Sequence, residues 1–490
     1  VSDIATPASA EAAMPAAGGS RVVEAPEAGS LAAPAALPRG VTGPIPRELL
    51  RLALPMFASY GLRIAYQWID ALWVKGLGVE ATAAVTTSIF IMWAVYSLND
   101  IFAIGVTAYV SQLLGAGERQ RAGVAAWKGV RASALLGLIG CTVGIFFAHW
   151  IYALMDPNPR MVASGATFLE ICLIGSPLFM IALTCESIMR ASGDTRTPML
   201  IDLASVGTCA VLDPLLIYGI GPFPRLGVAG AGIATVSAWA IMVAGYLIVA
   251  ARGNRALPLA RHAEGAPVHI RGMAKVGLPA ASIGVLFSIV YVAFSRSASQ
   301  FGPAAHAIVG IANRIEAMQF ICAISIGGAG AALVGQNLGA GKPERAERVI
   351  RTGLVWISGI TLVLTSVIMI FPQAFLMLFS RDPDVIRLGV PYLRVLNSAL
   401  LFTGFEIVTA EAILGSGHTV VISWIFTSFS ILRIPLAFLV PKWTGLGLVS
   451  IAWLITITCV IRAVLIVGWA ARGTWKRGLT RELRAGLPTQ

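Results

Sequence analysis

The sequence predicts an all-α polytopic membrane protein, with twelve transmembrane helices in two six-helix lobes related by a parallel internal repeat. Three observations predict it. The 490 residues are 57% hydrophobic and only 12% charged, with mean hydropathy +0.80, whereas soluble domains carry about 25% charged residues. Apolar runs of about 20 residues, the length that crosses a bilayer, occur twelve times. The stretch "VSQLLGAGERQRA" at 110–122 also returns as "VGQNLGAGKPERA" at 334–346, shifted by 224 residues with eight of thirteen positions identical.

Along the chain, residues 1–44 are rich in Ala, Pro and Gly and contain no apolar core. They read as a disordered tail, neither signal nor transit peptide, or as an extension left by a start set too far upstream. The runs then fall near 49–74, 84–112, 124–150, 163–188, 198–220 and 227–251, and again near 274–297, 305–336, 350–378, 389–414, 420–440 and 446–470. An even number puts both termini on one side. Lys and Arg decide which side: the segments sharing the termini's side hold twenty-three, the opposite loops six. The termini are therefore expected in the cytoplasm.

The 224 shift also lays Leu54-Pro55 on Leu278-Pro279, Gly78 on Gly302, and "ASGDT" at 191–195 on "GSGHT" at 415–419. One shift holding across four helices implies duplication, and a unit of six spans keeps the same topology in both copies, as in many transporters. The expected organisation is a tail to 44, an N-lobe over 45–251, a polar linker over 252–271, a C-lobe over 272–472 and a basic tail over 473–490.

Composition excludes several classes of function. The net charge of +12 sits in loops between apolar runs without interleaved aromatics, so it reads as a topology signal and no nucleic-acid partner is expected. The six cysteines (Cys141, Cys172, Cys185, Cys209, Cys322, Cys459) all lie in apolar runs without a C-x-x-C pair, as small core residues do. The histidines lack ligand spacing, so no metal site or other cofactor is expected. Neither H-E-x-x-H nor a G-x-S-x-G on a span is present, and an enzyme would not need the repeat.

Acids within the runs carry the functional signal, because an ionised group in hydrocarbon costs roughly 3 kcal/mol or more. Glu186 and Asp202 flank a turn with Arg190 and Arg196 and read as interfacial pairs; Glu316 follows Arg314 by two residues. Asp70 and Asp213 differ. Each precedes a glycine, Gly78 or Gly221, by eight residues near the outer end of its helix, about 12 Å below the boundary. Their repeat counterparts are Phe294 and Ala437, so the scaffold does not require them. Two carboxyl groups at one depth in one lobe suit a proton-binding pocket, since desolvation and like-charge proximity both favour the protonated form. The local alternatives are a cap for the turn at Pro214 and a reach from Asp70 to Lys75. Pro55, fifteen residues before Asp70, favours a kink in the first helix, although Pro279 at the repeat position suits a purely architectural role equally.

The stretches "WIDALWVKGLG", "VSQLLGAG", "RASGDTRTPM", "LDPLLIYG", "GVAGAGIATV" and "LVGQNLGAGKPERA", in this order, resemble the multidrug and toxic compound extrusion (MATE) family from about Pro46 to Arg472. The resemblance implies that family's fold and an antiporter that exports amphipathic, often cationic, organic compounds by alternating access. It also implies a multi-pass protein of the bacterial inner membrane, contacting small-molecule substrates and membrane lipid, and acting as a monomer. Residues matching Asp70 and Asp213 form the N-lobe proton site of such members, with Tyr66, Cys209 and Thr235 in its lining and Pro55 as the hinge of helix one. Many relatives carry asparagine where this chain has Cys209. Arg63 is unusual, and either pairs with Asp70 or lines the vestibule. Sodium-coupled members use acids of helices seven and ten; helix seven here has none, while Glu406 and Glu411 on helix ten leave an alternative C-lobe ion site. A lipid-linked precursor flippase of the same superfamily is the other alternative, and Arg63, Arg314 and Arg433 would be its cleft arginines.

Overall fold

The computed structural model describes residues 37–155, 159–264 and 267–479. Most of the tail expected over 1–44 and the end of the basic tail, 480–490, lie outside the described residues. The described residues form helices α1 (Arg39–Thr42), α2 (Ile45–Lys75), α3 (Val79–Gly115), α4 (Arg119–Met155), α5 (Pro159–Ile174), α6 (Ser176–Ala191), α7 (Arg196–Tyr218) and α8 (Val228–Ala251). The second half follows as α9 (Ile270–Ser299), α10 (Pro303–Gly339), α11 (Pro343–Ile370), α12 (Pro372–Met377), α13 (Pro383–Asn397), α14 (Leu400–Leu414), α15 (Val420–Thr444) and α16 (Val449–Ala471).

Eight of these helices are long and apolar enough to cross a membrane, and the pairs α5–α6 and α13–α14 each form one further span bent by 51° and 48°. With α2 and α3, of 31 and 37 residues, the frame is consistent with the twelve spans expected. The bends fall at Gly175 and at Ser398–Ala399, so the break too repeats at the 224 shift. Tight turns do the same: Gly78 and Gly302 have φ of 106° and 99°, Gly117 and Gly341 of 79° and 71°. Only glycine holds that backbone without strain. Pro55 and Pro279 lie inside α2 and α9, which run on through them.

Residues 39–43 depart from the disordered tail expected to residue 44. Gly40 and Val41 are buried, because the Asn337 amide donates to the Gly40 carbonyl at 3.1 Å and Arg345 donates to the Gly43 carbonyl. Side-chain donors from the second lobe replace water at these carbonyls.

The two lobes approach closely at the end that carries α1 and residues 474–479. A Cβ at Gly115 would strike the Gln336 carbonyl, and a Cβ at Gly339 would strike the Gln112 carbonyl. Gln112 Nε2 donates to Gly415 O at 2.9 Å, and Gln336 Nε2 to Ala191 O at 2.8 Å. Each contact is the other's counterpart at the 224 shift, so the seam is a pseudo-twofold clasp. Further along, Gly105 lies against Met273 O, Gly277 against Ile101 O and Gly284 against Ser97. The close approaches thus occupy the terminus-bearing half of α3 and α9.

Replacing either glutamine by alanine strands a buried carbonyl, a cost of about 1–3 kcal/mol borne only by the sealed arrangement. Gln112→Ala and Gln336→Ala should each raise the population open at this end by roughly fivefold or more. Distances between spin labels on the ends of α6 and α14 check this; unchanged distributions in both variants would refute it.

Candidate functional site

Two polar stripes face each other inside the first lobe. On α2, Arg63, Tyr66 and Asp70 recur at three and four residues, which places them on one helix face. On α7, Asp202, Ser205, Cys209 and Asp213 do the same and are all buried. The helices are tied at their far ends, where the Tyr218 hydroxyl donates to Trp73 O at 2.5 Å and the two rings sit edge to face. Ser205 ties α7 to α8 by donating to Ala238 O at 2.9 Å. The stripes therefore pair rung by rung.

The first rung, nearest the termini, is ionic. Arg63 lies 2.7 Å from Glu186 and 3.0 Å from Asp202, and Arg190 completes the group on the other Glu186 oxygen. Arg190 also donates to the Tyr60 hydroxyl at 3.2 Å and stacks on its ring. Two cations and two carboxylates neutralise one another. Arg63 is thus engaged by Glu186 and Asp202, not Asp70, and Asp202 takes Arg63 rather than Arg196.

The second rung is a relay of weak donors. The Cys209 thiol donates to the Tyr66 oxygen at 3.0 Å, Tyr66 lies 3.2 Å from the Thr235 hydroxyl, and Thr235 donates to Ala231 O at 3.0 Å. Thr235 has a single hydrogen and spends it on Ala231, so Tyr66 donates to Thr235. Every hydrogen of the relay is used within it.

The third rung holds Asp70 and Asp213. Both side chains are buried, at 8% and 0% exposure. Both Asp213 oxygens and Asp70 Oδ1 have no hydrogen-bond partner among the described residues. The carboxyl groups lie near enough for their charges to interact. Each stands five residues before the end of its helix, Lys75 or Tyr218, about 7.5 Å along the axis. Helix α7 continues through Pro214, so Asp213 caps no turn, and Asp70 forms no ion pair with Lys75 among the described residues. The shift replaces the α2 stripe by Phe287, Val290 and Phe294 on α9. The ladder belongs to one lobe.

The second lobe divides the acids expected to form its ion site. Glu406 is held by Arg462 at 2.7 Å, whereas Glu411 lies against Gly327 and interacts electrostatically with Asp100 of the other lobe. Five residues of α-helix separate directions by about 140°, so the two do not converge. Arg433 donates to Thr458 at 2.7 Å and to Cys459 at 3.2 Å, and Arg314 lies over Phe379. Glu316 interacts with Arg433. Sequence reasoning missed the rung pattern on α7, although the three- and four-residue spacing of its polar residues was there to be counted.

Two repeated helical lobes clasped at one end, with the acid-bearing ladder between α2 and α7 of the first, define a two-lobe membrane transporter rather than an enzyme. The chain belongs to the MATE family: the MatE family profile matches residues 55–215 and again 279–439, two copies displaced by the same 224. It is 27% identical over 453 residues to the probable multidrug resistance protein NorM of Thermotoga maritima, covering 91% of this chain and 97% of that one. It is also 27% identical over 376 residues to a FAD transporter of Shewanella oneidensis, covering 76% and 83%. Among solved structures, an outward-facing multidrug resistance MATE transporter matches with a TM-score of 0.82 at 21% identity, covering 90% of this chain and 98% of that one.

The ionic rung makes a stability prediction. Arg63→Ala leaves two buried carboxylates sharing Arg190, and breaking a buried pair costs about 3–5 kcal/mol, the lower end applying because Arg63 is 31% exposed. Thermal unfolding in detergent should show the loss, and adding Asp202→Asn should restore part of it. A single variant as stable as the wild type would remove the rung's structural role.

Proposed function

We propose that the protein is an antiporter of the bacterial inner membrane that exports amphipathic, often cationic, organic compounds in exchange for protons. The observation that carries this reading is the third rung, where two buried carboxyl groups whose charges interact have no donor for three of their four oxygens among the described residues. A carboxylate in that state is costly, and a proton is the smallest species that relieves it. The lobes take the boundaries 45–251 and 272–472, the termini face the cytoplasm, and the monomer is the working unit. The clasped end is then cytoplasmic, and the rung at the far ends of α2 and α7 loads protons from outside. Re-opening at the clasp would deliver them inward, driven by about 2.3 kcal/mol per 100 mV and about 1.4 kcal/mol per pH unit.

Protons are favoured over sodium by the lining. Hard cations select oxygen ligands, and the chain places the Cys209 sulfur next to Tyr66. The alternative C-lobe sodium site is weakened by the Arg462 guanidinium on Glu406. A diphosphate-binding flippase is disfavoured because Arg63 is neutralised by Glu186 and Asp202 and Arg433 is occupied by Thr458 and Cys459. Pro55 remains the candidate hinge of α2, bending that helix as the rung changes charge.

Drug accumulation in cells expressing wild type, Asp70→Asn or Asp213→Asn tests the reading. Each variant should lose most export while remaining in the membrane. Normal export by both would overturn the proton-site assignment. Substrate-induced proton release by the purified protein, with and without sodium, distinguishes the ions; a ligand panel that includes FAD, given the Shewanella relative, narrows the substrate.

A further inference from the structure

A groove of about 520 Å³ opens where the start of α2 meets α11, lined by Pro44, Ile45, Pro46, Arg345, Arg348 and Arg351, with Thr352 and Val355 deeper. It joins the two lobes, because α2 belongs to the first and α11 to the second. The three arginines recur every three residues along the first turns of α11, which places them along one side of that helix.

The charge at this groove is unbalanced. Arg345 donates to the Gly43 carbonyl, but its buried Nε has no partner among the described residues. Arg348 is exposed and acts on Arg345 with like charge. Neither forms an ion pair among the described residues; Glu48 attracts Arg345 from beyond ion-pair distance, while its carboxylate and that of Glu347 pair with other cations. Glu48 is held by Arg51 at 2.7 Å, and Glu347 is shared by Arg351 at 2.5 Å and Lys476 at 2.6 Å. Glu344, on the first turn of α11, is exposed. Arg351 already pairs with Glu347, so the cationic charge left for an anion comes chiefly from Arg345 and Arg348, with Arg351 completing the lining.

The groove also continues into an apolar surface. Val355 is 69% exposed, Leu362 67% and Val363 64% on α11, and on α2 Leu50 and Leu54 are 53% and 62% exposed. Val355 lies four residues beyond Arg351, about 6 Å deeper along the helix. Large exposed apolar side chains on a membrane-spanning helix are the ones that meet acyl chains. A headgroup-sized basic pocket opening onto such a stripe at the membrane boundary is the arrangement that takes an anionic lipid.

We propose that this groove binds an anionic phospholipid, its phosphate between Arg345, Arg348 and Arg351 and one acyl chain along the Val355–Leu362 stripe. The bound lipid spans the two lobes beside the clasp and favours the state sealed at that end. The assignment is independent of the transported substrate and of the coupling ion.

The test uses the full chain in nanodiscs of phosphatidylcholine with or without phosphatidylglycerol, followed by detergent extraction and native mass spectrometry of retained lipid. The wild type should keep phosphatidylglycerol in preference to phosphatidylcholine. Arg348→Ala/Arg351→Ala should bind it roughly thirtyfold more weakly, about fivefold per arginine, and Arg348→Lys/Arg351→Lys should retain most of the binding. Equal thermal stability of wild type and alanine variant in pure phosphatidylcholine establishes that the fold is intact; if that variant unfolds, the lysine variant paired with Val355→Glu, which blocks the acyl path, replaces it. Equal retention in wild type and variants, no preference over phosphatidylcholine, or displacement of the lipid by millimolar inorganic phosphate would each overturn the proposal.

Discussion

Two glutamines hold the two lobes of this transporter together. Gln112 and Gln336 each reach across the seam to the carbonyl that ends the bent span of the opposite lobe, Gly415 or Ala191. They can do so because Gly115 and Gly339 let each backbone approach the facing glutamine's carbonyl. Buried carbonyls without donors are rare and expensive, so the clasp satisfies what the end of each bent span would otherwise leave open. The bend itself, 51° in one lobe and 48° in the other, directs that carbonyl at the seam. A clasp made of hydrogen bonds and bare backbone is also one that can open, since water can replace each partner once the seam parts.

Duplication explains the clasp but not the chemistry. The repeated scaffold gives both lobes the same helices, turns and breaks, yet the face of α2 carries Arg63, Tyr66 and Asp70 where α9 carries Phe287, Val290 and Phe294. Along the ladder, charge is balanced near the clasp and unbalanced away from it. Arg63 and Arg190 neutralise Glu186 and Asp202, so that rung serves as a fixed ionic joint between α2, α6 and α7. Asp70 and Asp213 have no such cation, and any species that neutralises them must come from outside the lobe or from solution. The uncompensated pair sits on the same two helices as this ionic joint, farther along both of them.

Much of this was legible in the sequence for a physical reason: a duplication writes its geometry twice. The 224 shift read from 110–122 and 334–346 also governs the helix starts at Val79 and Pro303 and the turns at Gly78 and Gly302. The depth match of Asp70 and Asp213 followed from counting residues to each helix end. The partner of Arg63 did not follow, because residue counting gives height along a helix but not its rotation against a neighbour. Asp70 is nearer to Arg63 in sequence, while Glu186 and Asp202 arrive from α6 and α7. The division of Glu406 from Glu411 could have been read, since five residues turn a helix by about 140°.

Cys209 bears on how the acid pair is satisfied. It stands one turn before Asp213 on the buried face of α7, where an asparagine would offer amide hydrogens to its neighbours. The thiol offers one weak hydrogen, and that hydrogen goes to Tyr66; Tyr66 passes its own to Thr235, and Thr235 to the Ala231 carbonyl. The relay closes on backbone at Ala231, so none of its members can donate to Asp213 without breaking an existing bond. An asparagine would give a buried carboxylate a partner and lower the cost of keeping it ionised. With cysteine, Asp213 has no such donor among the described residues, so its ionised form stays costly. Cys209 therefore leaves Asp213 the least satisfied polar group of the ladder, with both oxygens unpartnered among the described residues.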